Sequence, residues 1–114
     1  MTDKTFPLPV RNDAVLDFLE NRRSNLAKAM EGPGPSEAEL ERILRVGTRV
    51  PDHRKLSPWR LVVFRGEARE RFGRALEAAY RADNPDHPED RHRFERERFL
   101  RAPVVIAVLS TPKP

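Results

Sequence analysis

Two short segments gather the side chains most suited to holding an anion. Arg22 and Arg23 stand together ahead of Ser24, and residues 42–65 carry Arg42, Arg45, Arg49, Arg54, Lys55, Arg60 and Arg65 against Asp52 alone. This local surplus of six positive charges exceeds the +4 of the whole 114-residue chain, so an anionic ligand meets the protein there or at Arg22-Arg23. Each position also has a simpler use. Arginines at a helix C-terminus interact favourably with the helix dipole, worth about 0.3–1 kcal/mol when exposed, and Ser24 can turn or cap the chain. Arg42, Arg45 and Arg49 fall at i, i+3 and i+7 of one solvated helix face, which leaves Arg49, at the helix exit, as the candidate. His53 sits beside Asp52 in a loop, where a local turn is a sufficient explanation.

Other chemistries find no support. His53, His87 and His92 share no i, i+4 spacing and there is no Cys, so no metal site is expected. No Gly-x-Ser-x-Gly, Walker-type loop or Gly-x-Gly-x-x-Gly occurs, which removes the motifs of serine hydrolases, P-loop enzymes and Rossmann dinucleotide sites. Trp59 reads as a packing residue at a strand start rather than a stacking platform.

The elements that must position these residues can be read in order. Residues 1–11 hold Pro7 and Pro9 without a period and read as an extended arm; residues 12–114 form the single domain. Asn12 or Asp13 caps a first helix, striped by Val15, Leu16, Phe18 and Leu19, that delivers Arg22 at its end. A Gly32-Pro33-Gly34-Pro35 loop follows. Ser36 with Glu39 forms a capping box, and Leu40, Ile43, Leu44 and Gly47 place one face of a second helix toward the core. Pro51 disfavours helix at Val50. After a basic loop, Trp59–Arg65 reads as a strand ended by Gly66. A third helix spans about 67–81, buried through Phe72, Leu76, Ala79 and Tyr80, with Ala75, Ala78 and Ala79 permitting close approach. A polar turn at 84–88 leads to a fourth helix over about 89–100, buried only through Phe94 and the Phe99-Leu100 end. The run Val104–Leu109 is continuously apolar, as in a strand covered on both faces.

Composition narrows the class further. With 38% hydrophobic and 35% charged residues the chain can fold, but it builds only a small core. No apolar run approaches the roughly 18 residues that cross a bilayer, and Met1 leads into charged, Pro-rich sequence, so neither a membrane span nor a secretory signal is expected. The absence of Cys fits a reducing cytoplasm. Residues 66–101 hold nine Arg and nine Asp or Glu, cancelling to zero, and the charges within 91–98 alternate in sign as on a solvated helix face. Two strands, one of them apolar throughout, and four helices, one nearly all charged, make a poorly covered α+β sandwich, and we expect the chain to be part of something larger.

The order and spacing of Asn21-Arg22-Arg23-Ser24, Gly47-Thr48-Arg49-Val50-Pro51-Asp52-His53, Pro58-Trp59-Arg60 and Phe99-Leu100-Arg101-Ala102-Pro103 before an apolar strand resemble the FMN-dependent nitroreductase family. The likeness covers about residues 14–111 here but only about the first half of the family's domain. It implies an incomplete three-layer α-β-α fold. It also implies an oxidoreductase that passes hydride from NAD(P)H through FMN to a nitroaromatic or quinone, as a cytoplasmic homodimer with flavin at the interface. Residue by residue, Arg22, Arg23 and Ser24 become the expected contacts to the FMN phosphate and ribityl chain, and Arg49 and His53 reach the flavin from the neighbouring subunit. A guanidinium fork matches phosphate oxygens in a bidentate way, and a serine hydroxyl both donates and accepts, so the residue types suit that role. Where many members carry a base two or three positions after the serine, this chain has Leu26 and Ala27, with Lys28 the nearest cation. With half the domain unmatched, the 114 residues alone are expected to bind FMN weakly or not at all. A second reading, a small basic nucleic-acid-binding protein using residues 42–65, predicts instead retention on DNA or RNA that falls steeply with salt.

Overall fold

A computed structural model describes residues 8–50 and 56–112. Helix α1 spans Asp13–Asn21, and the Asn12 side chain caps it by accepting from the Val15 N–H at 3.2 Å. A single 3₁₀ turn at Ala27–Ala29, which nothing in the sequence pattern announces, follows. Helix α2 spans Glu37–Gly47 behind a complete capping box: the Glu39 N–H donates to Ser36 Oγ at 3.2 Å and the Ser36 N–H donates to Glu39 Oε1 at 2.9 Å. The Ser36 backbone N–H, and then its hydroxyl, hold the Glu39 carboxyl below its ordinary pKa.

Strand β1 (Trp59–Arg65) is followed by α3 (Glu67–Asp83), α4 (Glu89–Glu97), a 3₁₀ turn at Arg98–Leu100 and strand β2 (Val104–Ser110). The strands pair antiparallel from Trp59↔Ser110 to Arg65↔Val104, and a Thr111 N–H to Pro58 carbonyl bond of 2.8 Å closes the open end. The α+β class is therefore as expected, with helices on both faces of a two-stranded sheet. No described helix is long and apolar enough to cross a membrane.

Alternation along the strands assigns the faces. Phe64, opposite Val105, points toward α3, where its ring meets Phe72 at 4.6 Å and Phe99 at 5.2 Å, with Phe72 and Phe99 4.8 Å apart. Tilted and edge-on contacts at these separations are the favoured geometry of aromatic pairs. Leu61 and Val63, opposite Val108 and Ile106, face the other way, toward α2. That side is thinly covered: on α2 only Leu40 is buried, and Ile43, expected in the core, is exposed. The expectation of full cover on β2 also fails, since Val104–Ala107 are half-buried while Val108 is 71% exposed. Both of its faces are apolar, yet α2 lies over too little of one of them.

The helical hairpin departs from the sequence reading in two places. Close approach of α3 and α4 runs through Gly73, not through Ala75, Ala78 and Ala79, which are all exposed. A β-carbon on Gly73 would stand 2.2 Å from the Arg96 carbonyl oxygen, so the two backbones touch where only glycine allows it. Helix α4 is buried chiefly through His92, which is 1% exposed, whereas Phe94 is half-buried and Leu100 exposed. His92 points into the hairpin turn, with Nε2 2.9 Å from the Asn84 carbonyl oxygen, while the Asn84 N–H returns to the Tyr80 carbonyl at 2.8 Å. Outside the turn, Arg81 forks onto Glu89 with contacts of 2.5 and 2.9 Å and reaches Glu77 at 3.1 Å. The hydrogen bond from Arg81 holds the Glu89 carboxyl down at about 2.

Two outcomes follow for stability. Gly73→Ala forces α3 and α4 apart and lowers the unfolding free energy by about 1–3 kcal/mol, the usual cost of overpacking, in denaturant titration. Gly47→Ala, within α2 and with nothing near its β-carbon, serves as the control: it should stabilise by up to about 1 kcal/mol through helix propensity alone. For Glu89, a folded pKa held below the unfolded value of about 4.3 means stabilisation present above that pH and lost as pH falls toward 2. The stability gap between the parent and Glu89→Gln should therefore be widest near neutrality and close between about pH 4.5 and 2; a constant gap would show that the pair contributes nothing.

Candidate functional site

The Arg22-Arg23-Ser24 segment begins where α1 stops. Arg22 is the C-cap residue: it has turned to extended backbone while its N–H still donates to the Phe18 carbonyl at 2.9 Å. Its guanidinium reaches Ser24 Oγ at 3.5 Å, and Arg23 donates to the Arg22 carbonyl at 3.0 Å and to the Asn21 carbonyl at 3.4 Å. Arg23 thus does what a cation at a helix C-terminus does, covering carbonyls that lack an intrahelical partner. All three residues are exposed, and among the described residues neither guanidinium meets a carboxylate. Two uncompensated charges and a hydroxyl on consecutive residues form a donor set suited to a dianionic phosphate.

Arg49 lies past the C-terminal end of α2, exposed, with its N–H donating to the Val46 carbonyl at 3.2 Å. Thr48, the C-cap, folds its hydroxyl back on the Leu44 carbonyl at 2.9 Å, which fixes where the chain leaves the helix. His53 lies outside the described residues, as do Arg54 and Lys55. Arg22, Arg23 and Ser24 therefore belong to the exit of one helix and Arg49 to the exit of another, and none of the residues of α1 is buried against the rest of the chain. The clefts among the described residues at α2, the sheet and the α3–α4 hairpin are lined by none of these groups.

The six-charge surplus of residues 42–65 is also partly spent within the fold. Arg45 pairs with Glu41 at 3.1 Å and Arg65 pairs with Glu37, both carboxylates lying outside or at the margin of the segment that carries the surplus. A feature the sequence reading passed over is the setting of Phe94. The guanidinium carbons of Arg101, Arg91 and Arg98 lie 4.2, 5.3 and 5.4 Å from its ring centre. The i−3, i+4 and i+7 spacing around Phe94 was the available signal, hidden by the alternation of charge along α4.

Comparison with known proteins identifies the family. The family model described as the Nitroreductase family matches residues 19–113, and the chain belongs to that family. It is 41% identical over 97 residues to a protein of Escherichia coli strain K12 named "Putative NAD(P)H nitroreductase YdjA", an alignment covering 84% of this chain and 50% of that relative. A Haemophilus influenzae protein named "Putative NAD(P)H nitroreductase" is 33% identical over 100 residues, covering 88% of this chain and 52% of its own length. The chain spans about half the length of the curated relatives it matches.

Because Arg22 and Ser24 are exposed and bonded mainly to each other, Arg22→Ala and Ser24→Ala should each leave the denaturant midpoint nearly unchanged, within about 0.5 kcal/mol. A larger loss would show that the segment serves the fold.

Proposed function

We propose that this chain forms part of an FMN-dependent NAD(P)H oxidoreductase that acts as a homodimer on a nitroaromatic or quinone acceptor. The observation that carries the reading is the Arg22-Arg23-Ser24 segment, without an acidic partner among the described residues, in a chain of the nitroreductase family. The names of the relatives add a nicotinamide reductant. Arg22 and Arg23 would hold the FMN phosphate by charge-assisted hydrogen bonds, and the Ser24 hydroxyl would bond the phosphate or ribityl chain. Bound there, FMN would supply a ring that accepts hydride from the nicotinamide and yields it to the acceptor. Arg49, with His53, would come from the neighbouring subunit. Its guanidinium would place positive charge beside the pyrimidine end of the ring, where reduction puts negative charge.

Titration of FMN and of riboflavin, which lacks the phosphate, into the chain tests this directly. We expect FMN binding that weakens by about 10- to 100-fold in Arg22→Ala, as loss of a charged hydrogen bond worth about 1.5–3 kcal/mol implies. Riboflavin affinity should not change. Equal FMN affinity in chain and variant would remove the site from these residues, whereas no binding of FMN at all would mean that the unmatched half of the domain is needed to complete it.

A further inference from the structure

The start of α3 and the entry of β2 hold two arginines that the fold fixes in place without a counter-ion. Arg69, half-buried, donates from Nε to the Gly66 carbonyl at 3.3 Å and from one terminal nitrogen to the Ala102 carbonyl at 2.7 Å. Its other terminal nitrogen meets no acceptor among the described residues. Arg101, also half-buried, lies over the Phe94 ring with its guanidinium carbon 4.2 Å from the ring centre. A cation–π contact of this kind holds the group and leaves its N–H donors to a further acceptor. Among the described residues neither arginine has an ion pair, and the acids nearby in sequence are matched elsewhere: Glu70 with Arg74 at 3.7 Å and Glu95 with Arg98 at 2.9 Å. Glu97 lines a separate depression beside Arg74 and Arg96.

Arg69 and Arg101 line one pocket of about 210 Å³, whose remaining wall is largely apolar, from Met30, Leu100 and Pro103. Two like charges drawn partly out of water in one small space repel each other and lose solvation, and an anion between them relieves both costs. Size and charge choose that anion. The pocket is smaller than the roughly 300–1,000 Å³ of sites that enclose drug-sized ligands, so it suits a compact group. A carboxylate brings one charge and two oxygens, enough for one fork, whereas a phosphate brings two charges and oxygens for both guanidinium groups.

We propose that this pocket binds a phosphate dianion, free or as the end group of a small ester, held by the fork of Arg101 and the remaining terminal nitrogen of Arg69. The site lies at the Arg65↔Val104 end of the strand ladder, away from the Trp59 end, and does not rest on the flavin reading.

Titration of inorganic phosphate into the chain, with chloride holding the ionic strength constant, tests the site by calorimetry and by the arginine side-chain N–H resonances. The Arg69 and Arg101 signals should shift saturably. Arg101→Met keeps an apolar stem over Phe94 but removes the fork, and it should weaken the phosphate affinity read at Arg69 at least tenfold, as loss of a charged hydrogen bond implies. Arg101→Lys, with charge but no fork, should recover part of that loss, and Arg22→Ala should leave the Arg101 titration unchanged. Phenyl phosphate separates the two sources of the group: tighter binding than inorganic phosphate assigns an ester whose carbon portion meets the apolar wall, and no gain assigns free phosphate. Arg101 signals that respond no more to phosphate than to chloride overturn the site, as does unchanged affinity in a folded Arg101→Met chain. Should that variant fail to fold, the parent resonances and Arg101→Lys still decide.

Discussion

The ladder between β1 and β2 is closed across a long excursion rather than a tight turn: Arg65 pairs with Val104, and the intervening chain is α3, α4 and their turns. Closing such a loop costs entropy that the strand pairs alone would not recover, so the excursion must itself be packed on the sheet. Phe64, Phe72 and Phe99 do this, one ring from the strand, one from α3 and one from the turn after α4. Their meeting requires α3 and α4 to lie in backbone contact, which Gly73 permits, and requires the hairpin to reverse where it does, which His92 at Asn84 and Arg81 at Glu89 secure. Further support comes from Arg69, which donates to the Ala102 carbonyl at 2.7 Å and ties the start of α3 to the entry of β2.

The opposite face shows what happens without such a hairpin. Helix α2 starts well, with both arms of its capping box made, and is tied at its first turn by the Glu37–Arg65 pair. The Gly32-Pro33-Gly34-Pro35 loop is held at the sheet margin by Gly34 against Pro103 and Val104, where a β-carbon would come within 3.0 Å of Pro103. Beyond these points α2 covers little. The candidate anion-binding side chains lie on this less consolidated part of the molecule, at the exits of α1 and α2. That placement suits groups that meet a ligand or a second chain, since binding surfaces are drawn from regions with few internal contacts.

Much of the framework was legible in the residues. Ser36 with Glu39, Asn12 ahead of an apolar stripe, and the β-branched run after Trp59 each carry a local signal, because caps and period-two alternation depend on near neighbours. The Arg22-Arg23-Ser24 segment was equally legible as an exposed group at a helix end. What misled was inference about partners. The alanines of α3 suggested close packing, but helix rotation put Gly73 at the contact. The charged face of α4 hid the burial of His92, and the basic segment 42–65 looked freer than it is because Glu37 and Glu41 neutralise Arg65 and Arg45.

The sequence by itself determined the α+β class, the order and nearly all the limits of the elements, the chemistry of the candidate anion-binding residues and the family they point to. These rest on side-chain type and spacing along a few turns of chain. Only the tertiary structure decided which residues meet: the antiparallel register of two strands distant in sequence, the glycine contact between α3 and α4, the arginines around Phe94 and the uncovered cleft beside α2. Such pairings depend on how helices rotate and slide when their surfaces pack, and no period along the chain encodes that choice for one partner without the other.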